Sequence, residues 1–236
     1  MSVQPRRAAD AASSPATVRL RGVGFGYVET PGVLRDVNLT LPAGSFHFLT
    51  GPSGAGKTTL LKLLTLAEQP QSGSLELFGE EAGTARRADL PAFRRRMGVI
   101  FQDFRLLDHL SAWENVALPL RLAGAKTADY ADNVHEMLEW VGLGEKLGAR
   151  PPALSGGEKQ RLAIARAVVT GPELIVADEP TGNVDAVMAG RLLKLFQSMN
   201  RLGTTVLIAS HDADLAARSG ATVLTLDGGR LTGGAA

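Results

Sequence analysis

The 236-residue chain has no cysteine. That excludes disulfides and thiolate-held metal, and it suits a reducing cytosol. There is no uninterrupted apolar run long enough to span a bilayer, so this chain is not expected to cross one by itself. Nor is there a surplus of one charge. The formal net charge is +1, which argues against a dedicated nucleic-acid binder. No internal repeat is visible. Met1 to Ala16 are rich in Ala, Ser, Pro and Arg and lack the apolar core of a secretory signal. The Arg6-Arg7 pair is followed by no apolar segment, so 1–16 is expected to be a disordered arm.

What is present fits a soluble globular domain, with 44% apolar and 21% charged residues. The length allows one substantial domain but hardly two unrelated ones. Apolar runs predict strands at 18–23, 37–41, 46–50, 75–78, 98–101, 174–178, 205–209 and 222–226. Helical periodicity predicts helices at 57–67, 113–123, 129–141, 157–170, 187–201 and 212–218. The block at roughly 103–170 carries no strand signal, so an α/β core interrupted by a helical insertion is expected.

The most informative stretch is Gly51-Pro52-Ser53-Gly54-Ala55-Gly56-Lys57-Thr58, followed by Thr59. It fills every fixed position of the G-x-x-x-x-G-K-[ST] phosphate loop, between a strand-like run and an apolar helical one. Glycines there let backbone N–H groups turn inward around a polyphosphate at a helix N-terminus that already favours anions. Lys57 can reach the β- and γ-phosphates of a nucleoside triphosphate, and the Thr58 hydroxyl can ligate Mg2+.

A second cluster is Leu174-Ile175-Val176-Ala177-Asp178-Glu179. An apolar run ending in acids reads as a buried parallel strand that delivers Asp178 to the carboxyl edge of the sheet, where nucleotides bind. Asp178 would hold Mg2+ through its water shell. Glu179, one residue on, can polarise a water attacking the γ-phosphate. Third is Leu154-Ser155-Gly156-Gly157-Glu158. Ser155 and Glu158 form a helix capping box that needs no ligand. Two glycines in a first helical turn are nevertheless poor helix formers. Exposed N–H groups and a serine hydroxyl at a positive helix end make a second phosphate site.

Together these pieces resemble the ABC-type ATPase family from about Val18 to Leu231. The resemblance implies a RecA-like parallel-sheet core, an N-terminal antiparallel β lobe and an inserted helical subdomain at about 103–170. It makes Ser155, Gly156, Gly157 and Glu158 the signature motif, which closes over ATP held by a second copy. By the same resemblance Tyr27 stacks on adenine, and Gln102 senses Mg2+ and the γ-phosphate. Asn183, Val184 and Asp185 cross the dimer interface, and His211 joins Glu179 in catalysis.

Three stretches narrow the likeness: Phe101-Gln102-Asp103-Phe104-Arg105-Leu106-Leu107, Glu114 to Leu120, and Asp178 to Asn183. They are similar to the cell-division branch of the family. That implies a homodimer on ATP binding, an integral membrane partner, attachment to the cytoplasmic face of the inner membrane through that partner, and control of peptidoglycan hydrolases. Lipoprotein-releasing and macrolide exporters share Asp-Glu-Pro-Thr-Gly-Asn and remain an alternative. Soluble DNA-maintenance relatives are disfavoured, since no heptad-rich coiled coil separates Lys57 from Ser155. A regulatory module without turnover is disfavoured by the presence of Glu179 and His211.

Two surfaces complete the reading. Arg86, Arg87, Arg94, Arg95 and Arg96 form a basic patch, read first as a solvated face and second as a contact for lipid headgroups or an acidic partner. The apolar residues Phe101, Phe104, Leu106 and Leu107 suggest core packing or a groove for a partner's helix.

Overall fold

Alternation within two apolar strands organises the molecule. The computed structural model describes residues 16–233. Strands β7 (Leu174–Asp178) and β8 (Thr205–Ala209) are buried at every position, as strands covered on both faces must be. Leu174, Val176, Leu207 and Ala209 join one apolar cluster, which includes Leu60, Leu63 and Leu64 of helix α1 (Lys57–Leu64). Ile175, Ala177, Val206 and Ile208 join another, which includes Leu192 and Phe196 of helix α6 (Ala186–Arg201). Successive side chains point to opposite faces, so one short sequence carries both layers of an α/β/α core. Phe196 is 1% exposed, and truncating it to alanine would cost about 3–5 kcal/mol.

The central sheet has the order β10-β9-β3-β8-β7-β6, with β3 at Phe46–Thr50, β6 at Met97–Ile100, β9 at Thr222–Asp227 and β10 at Arg230–Thr232. All pairings are parallel except β9 with β10. Strand β3 therefore lies between β9 and β8, so the loops after β3, β7 and β8 open at one edge. A second, antiparallel sheet is ordered β2-β1-β4-β5, from β1 (Ala16–Phe25), β2 (Leu34–Pro42), β4 (Ser72–Leu77) and β5 (Glu80–Glu81). Its apolar face packs into the cluster beneath α1.

Between β6 and β7 there is no strand among the described residues. Helices α3 (Ala112–Leu122), α4 (Thr127–Trp140) and α5 (Gly156–Val168) share a third cluster, built on Val116, Val134, Leu138 and Leu162. Ser111 starts α3 with a capping box: its hydroxyl accepts from the Glu114 amide at 3.2 Å, and the Glu114 carboxylate accepts from the Ser111 amide at 2.8 Å. Helix α7 (Ala213–Ser219) ends on Gly220 in the left-handed region.

Several boundaries differ from the sequence expectation. Helix α1 stops at Leu64 rather than 67 because Leu66 turns left-handed at φ 56° and the Ala67 amide closes on the Lys62 carbonyl at 2.9 Å. No glycine or asparagine announces that stop. Ala16, assigned to the arm, opens β1; the rest of the arm, 1–15, lies outside the described residues. Strands β5 and β10 and helix α2 (Leu90–Arg95) are additions, each too short to show a period.

The basic patch is largely engaged. Arg86 pairs with Asp89 at 2.9 Å, Arg94 donates to the Leu66 carbonyl at 2.8 Å, and Arg96 grips Glu173 at 2.6 Å.

Candidate functional site

The loop between β3 and α1 turns back under the end of the central sheet. Gly51 takes φ 147°, and a Cβ there would lie 2.0 Å from the Leu226 carbonyl oxygen, so only glycine fits. Gly56 caps α1 at φ 104°. Lys57 Nζ donates to the carbonyl oxygens of Gly51 at 2.7 Å and Pro52 at 3.1 Å, holding its charge across the loop. A cavity of about 760 Å3 opens here, a size suited to a small ligand. Gly51, Ser53, Gly54, Gly56, Lys57, Thr58 and Thr59 line it, together with Tyr27, Gln102, Asp178, Glu179 and His211. Sequence-expected residues from five separate segments therefore meet in one place.

Two of the expected loop residues do not line the cavity. Pro52 is exposed on the loop. Ala55 is 6% exposed and packs into the core, with its amide on the Pro52 carbonyl at 3.2 Å.

Thr58 and Asp178 converge on one point. The Thr58 hydroxyl donates to Asp178 Oδ2 at 2.9 Å. Asp178 is 8% exposed, and loss of solvent there pushes its carboxyl up from the ordinary value. A desolvated carboxylate beside a hydroxyl is a hard-oxygen pair short of positive charge, and it fits Mg2+. No group of three or more His, Cys, Asp or Glu that could hold a metal occurs among the described residues. An ion here would therefore draw its remaining oxygens from phosphate and water, as Mg2+ does.

Glu179 is the hinge of the site. The apolar alternation ends at Asp178, and Glu179 follows at φ 49°, uncommon for a non-glycine residue. Its amide bonds to the Ala209 carbonyl at 2.9 Å. Its Oε1 accepts from the His211 amide at 3.1 Å and lies 2.8 Å from His211 Nδ1. The Ser210 hydroxyl approaches Oε2 at 3.4 Å. The carboxylate, first by hydrogen bonding and then by charge, raises the His211 pKa above the ordinary imidazole value.

Tyr27 packs edge-on against Phe25 with centroids 5.1 Å apart, while its hydroxyl accepts from Lys62 Nζ at 3.3 Å. It stays half-buried on the cavity wall rather than in the core. Other wall residues escaped the sequence reading: Thr30, Gly32, Val33, Arg35, Gly228 and Gly229. Gly228-Gly229 turns β9 into β10, and the Gly229 carbonyl accepts from the Arg35 amide at 2.8 Å. A Gly-Gly pair directly after a strand was the available signal.

Ser155, Gly156, Gly157 and Glu158 lie outside this cavity. They form the α5 capping box: Ser155 Oγ accepts from the Glu158 amide at 3.3 Å, and Glu158 Oε2 accepts from the Ser155 amide at 2.9 Å. Lys146 and these bonds hold the Glu158 carboxyl down at about 2. A Cβ on Gly156 would meet nothing of the described residues within 4 Å, whereas one on Gly157 would reach the Asn183 carbonyl oxygen at 3.0 Å. The loop Asn183-Val184-Asp185 thus lies along the start of α5, with Asp185 capping α6 through the Met188 amide at 2.8 Å. The glycine face of α5 and this loop form one surface, separate from the cavity.

A further groove of about 370 Å3 is lined by Met97, Phe101, Arg105, Leu107, Leu118 and Leu122, among others. Leu122 is 71% exposed. Of the four apolar residues expected to form a partner groove, Phe101 and Leu107 line it. Leu106 instead packs on the helical cluster, and Phe104 is absent from the wall.

Comparison with known proteins agrees with this geometry. Residues 34–182 match the family model described as ABC transporter. The chain is 43% identical over 217 residues to the cell division ATP-binding protein FtsE of Escherichia coli K12, covering 92% of this chain and 98% of the relative. It is 43% identical to the protein of the same name from Mycobacterium tuberculosis, over 84% of this chain and 86% of that one. A solved structure described as a dimeric structure of MJ0796, a bacterial ABC transporter cassette, superimposes with a TM-score of 0.86. It is 32% identical and covers 91% of this chain and 96% of that one. A second, described as a dimeric post-hydrolysis state of the same cassette bound to ADP and Pi, gives a TM-score of 0.85 at 31% identity, covering 92% of this chain and 98% of that one.

Proposed function

This chain belongs to the ABC transporter ATPase family, and from that premise we propose that it is the motor subunit of a cell-division complex, resembling FtsE, whose membrane partner resembles FtsX. It binds and hydrolyses ATP. The observation that carries the mechanism is the convergence of Lys57, Thr58, Asp178, Glu179 and His211 on one cavity.

Lys57 and the loop amides hold the triphosphate, with Tyr27 against the base. Thr58, Asp178 and Gln102 would hold Mg2+, which when bound neutralises phosphate charge and polarises the γ-phosphate. Glu179 orients the attacking water and takes its proton, while His211 fixes the carboxylate through the 2.8 Å contact. Ser155 to Gly157 of a second copy close over the nucleotide and exclude bulk water, so turnover waits on pairing. The signature glycines lying outside this chain's own cavity support that composite site. The loop Asn183 to Asp185, packed beside them, would cross between the copies.

The helical block at about 103–170 acts as a subdomain, and the groove beneath Leu107 and Leu122 receives a helix of the membrane partner. No helix among the described residues is long and apolar enough to cross a membrane, so attachment to the cytoplasmic face of the inner membrane runs through that partner. The complex regulates peptidoglycan hydrolysis and needs no nucleic acid.

The test is Leu107→Ser with Leu122→Ser. Each of these exposed side chains, once covered by the partner's helix, contributes on the order of 1–3 kcal/mol, so partner affinity should fall about tenfold or more with ATP affinity kept. Cells carrying the double variant should filament. Normal division with lipoproteins stranded in the inner membrane would instead favour an exporter.

A further inference from the structure

Strand β1 ends at Phe25, so the backbone that carries the Tyr27 ring lies beyond the sheet. Gly26 is buried, and its N–H and C=O groups need partners past the end of the strand. The side chain of Gln71 supplies both. Its Oε1 accepts from the Gly26 amide at 3.1 Å, and its Nε2 donates to the Gly26 carbonyl at 2.8 Å. The Gln71 backbone amide donates to the Gly24 carbonyl at 2.9 Å, beside the last pairing of β1 with β4, Gly24 opposite Ser72. One side-chain amide therefore stands where the next peptide of the ladder would, and it extends the sheet by a rung.

Past Gly26 the chain closes on itself. Tyr27 and Thr30 exchange backbone hydrogen bonds at 3.0 and 3.2 Å. A Cβ on Gly26 would lie 2.3 Å from the Gly32 nitrogen, so the loop 26–32 returns to its own root and only glycine fits there. Arg35 Nε holds the far end, donating to the Gly32 carbonyl at 2.9 Å. The Tyr27 ring rests on Phe25, and its hydroxyl meets Lys62 of α1. What remains to be fixed is its backbone, at the residue next to the one that Gln71 grips.

We propose that Gln71 is a positioning residue for the nucleotide base: by fixing Gly26 it sets where the Tyr27 ring stands relative to the phosphate loop. It does so without facing the nucleotide, since Gln71 is absent from the cavity wall. A ring held ready binds the base without the entropic cost of being ordered at that moment. The base stays remote from the reacting γ-phosphate, so this contact is equal in ground and transition states and governs KM rather than kcat. The inference rests on the reading of Tyr27 as the platform for the base.

Steady-state Mg·ATP kinetics on the full chain test it, beside calorimetric titrations with Mg·ATP and with magnesium tripolyphosphate, which has the phosphates but no base. Gln71→Ala should raise KM for ATP about three- to tenfold, part of what a base stack contributes, and keep kcat within about twofold. Tripolyphosphate affinity should stay within about twofold of the wild type, as the phosphate contacts are untouched. Gln71→Glu keeps the acceptor for the Gly26 amide but loses the donor to the carbonyl. It should fall between, and it keeps the inference testable if the alanine variant folds poorly. Tyr27→Ala should raise KM at least as much, and adding Gln71→Ala to it should change nothing further, because a residue that acts through the ring has nothing left to position. Unchanged KM in Gln71→Ala overturns the inference, and so does a double variant whose effects add. Equal weakening of tripolyphosphate binding overturns it too, since that would mean a general loosening of the site. Wild-type KM in Tyr27→Ala would instead overturn the base-platform reading, whatever Gln71→Ala does.

Discussion

Glu179 Oε1 lies 2.8 Å from His211 Nδ1 and accepts the His211 backbone amide at 3.1 Å, so one carboxylate oxygen is held twice by one residue. The acid follows β7 and the histidine follows β8, strands that pair in parallel with Asp178 beside Ala209. Strand register therefore sets this contact. Glu179→Gln keeps the shape while removing the proton acceptor, so hydrolysis should fall by about 10^2–10^4 with ATP still bound. His211→Ala frees the carboxylate without deleting it and should cost less. Single-turnover hydrolysis beside nucleotide-binding isotherms would separate the two, and full turnover by Glu179→Gln would refute the base assignment.

The same contact makes a statement about pH. His211 is highly exposed, yet the Glu179 hydrogen bond and charge favour its imidazolium form. Its proton should therefore be held above the ordinary value of 6.5 and released only as pH rises through the raised pKa. In Glu179→Gln the full charge is gone, and the titration should slide back toward that ordinary value. Ring-proton NMR titration of both proteins reads this directly. Identical curves would mean that the two side chains do not interact in solution.

Gly156 offers a test of pairing that spares the monomer. A Cβ there meets nothing of the described residues within 4 Å, so Gly156→Asp should fold with a Tm close to wild type. In the ATP-bound pair, its carboxylate would face the γ-phosphate of the other copy at close range and be repelled. With ATP and Glu179→Gln as background, light scattering should find a dimer that Gly156→Asp abolishes. A dimer that survived would mean the signature glycines do not face nucleotide.

Much of this was legible in the chain because short-range chemistry dictated it. The runs at 46–50, 174–178 and 205–209 became strands with those bounds, since short alternating or continuous apolar runs ending at glycine, acid or serine leave few alternatives. The phosphate loop announced itself by spacing. What escaped depends on distant partners. Nothing near Arg166 says that its fork will reach the carbonyls of Phe104 and Arg105, sixty-odd positions earlier. Nothing near Asn115 tells a structural amide from a surface one. Leu122 reads as an ordinary helical leucine, and only the packing of α3 leaves it exposed beside the groove.

The last expectation concerns a buried histidine that takes no part in catalysis. His47, in β3 ahead of the phosphate loop, is 7% exposed, and neither ring nitrogen has a hydrogen-bond partner among the described residues. Burial lowers its pKa below the ordinary 6.5. The sign follows from linkage. Below pH 6.5 the unfolded chain binds a proton at this position that the native chain refuses, so stability falls as pH drops from 6.5 toward the lowered native value. The limiting slope for one proton is about 1.4 kcal/mol per pH unit. His47→Leu removes the titrating group and the two orphaned nitrogens together, so stability at pH 7 should hold or rise. Its acid limb should be flatter than that of the wild type between pH 6.5 and 5. Glu158, whose carboxyl sits at about 2, contributes stability that is lost only as pH falls from its ordinary 4.5 toward that value, outside this window. His211 and Asp178 titrate in both proteins and cancel in the difference. Urea unfolding at half-unit pH steps would give both curves, and parallel acid limbs would show that His47 is hydrated or paired in the folded protein.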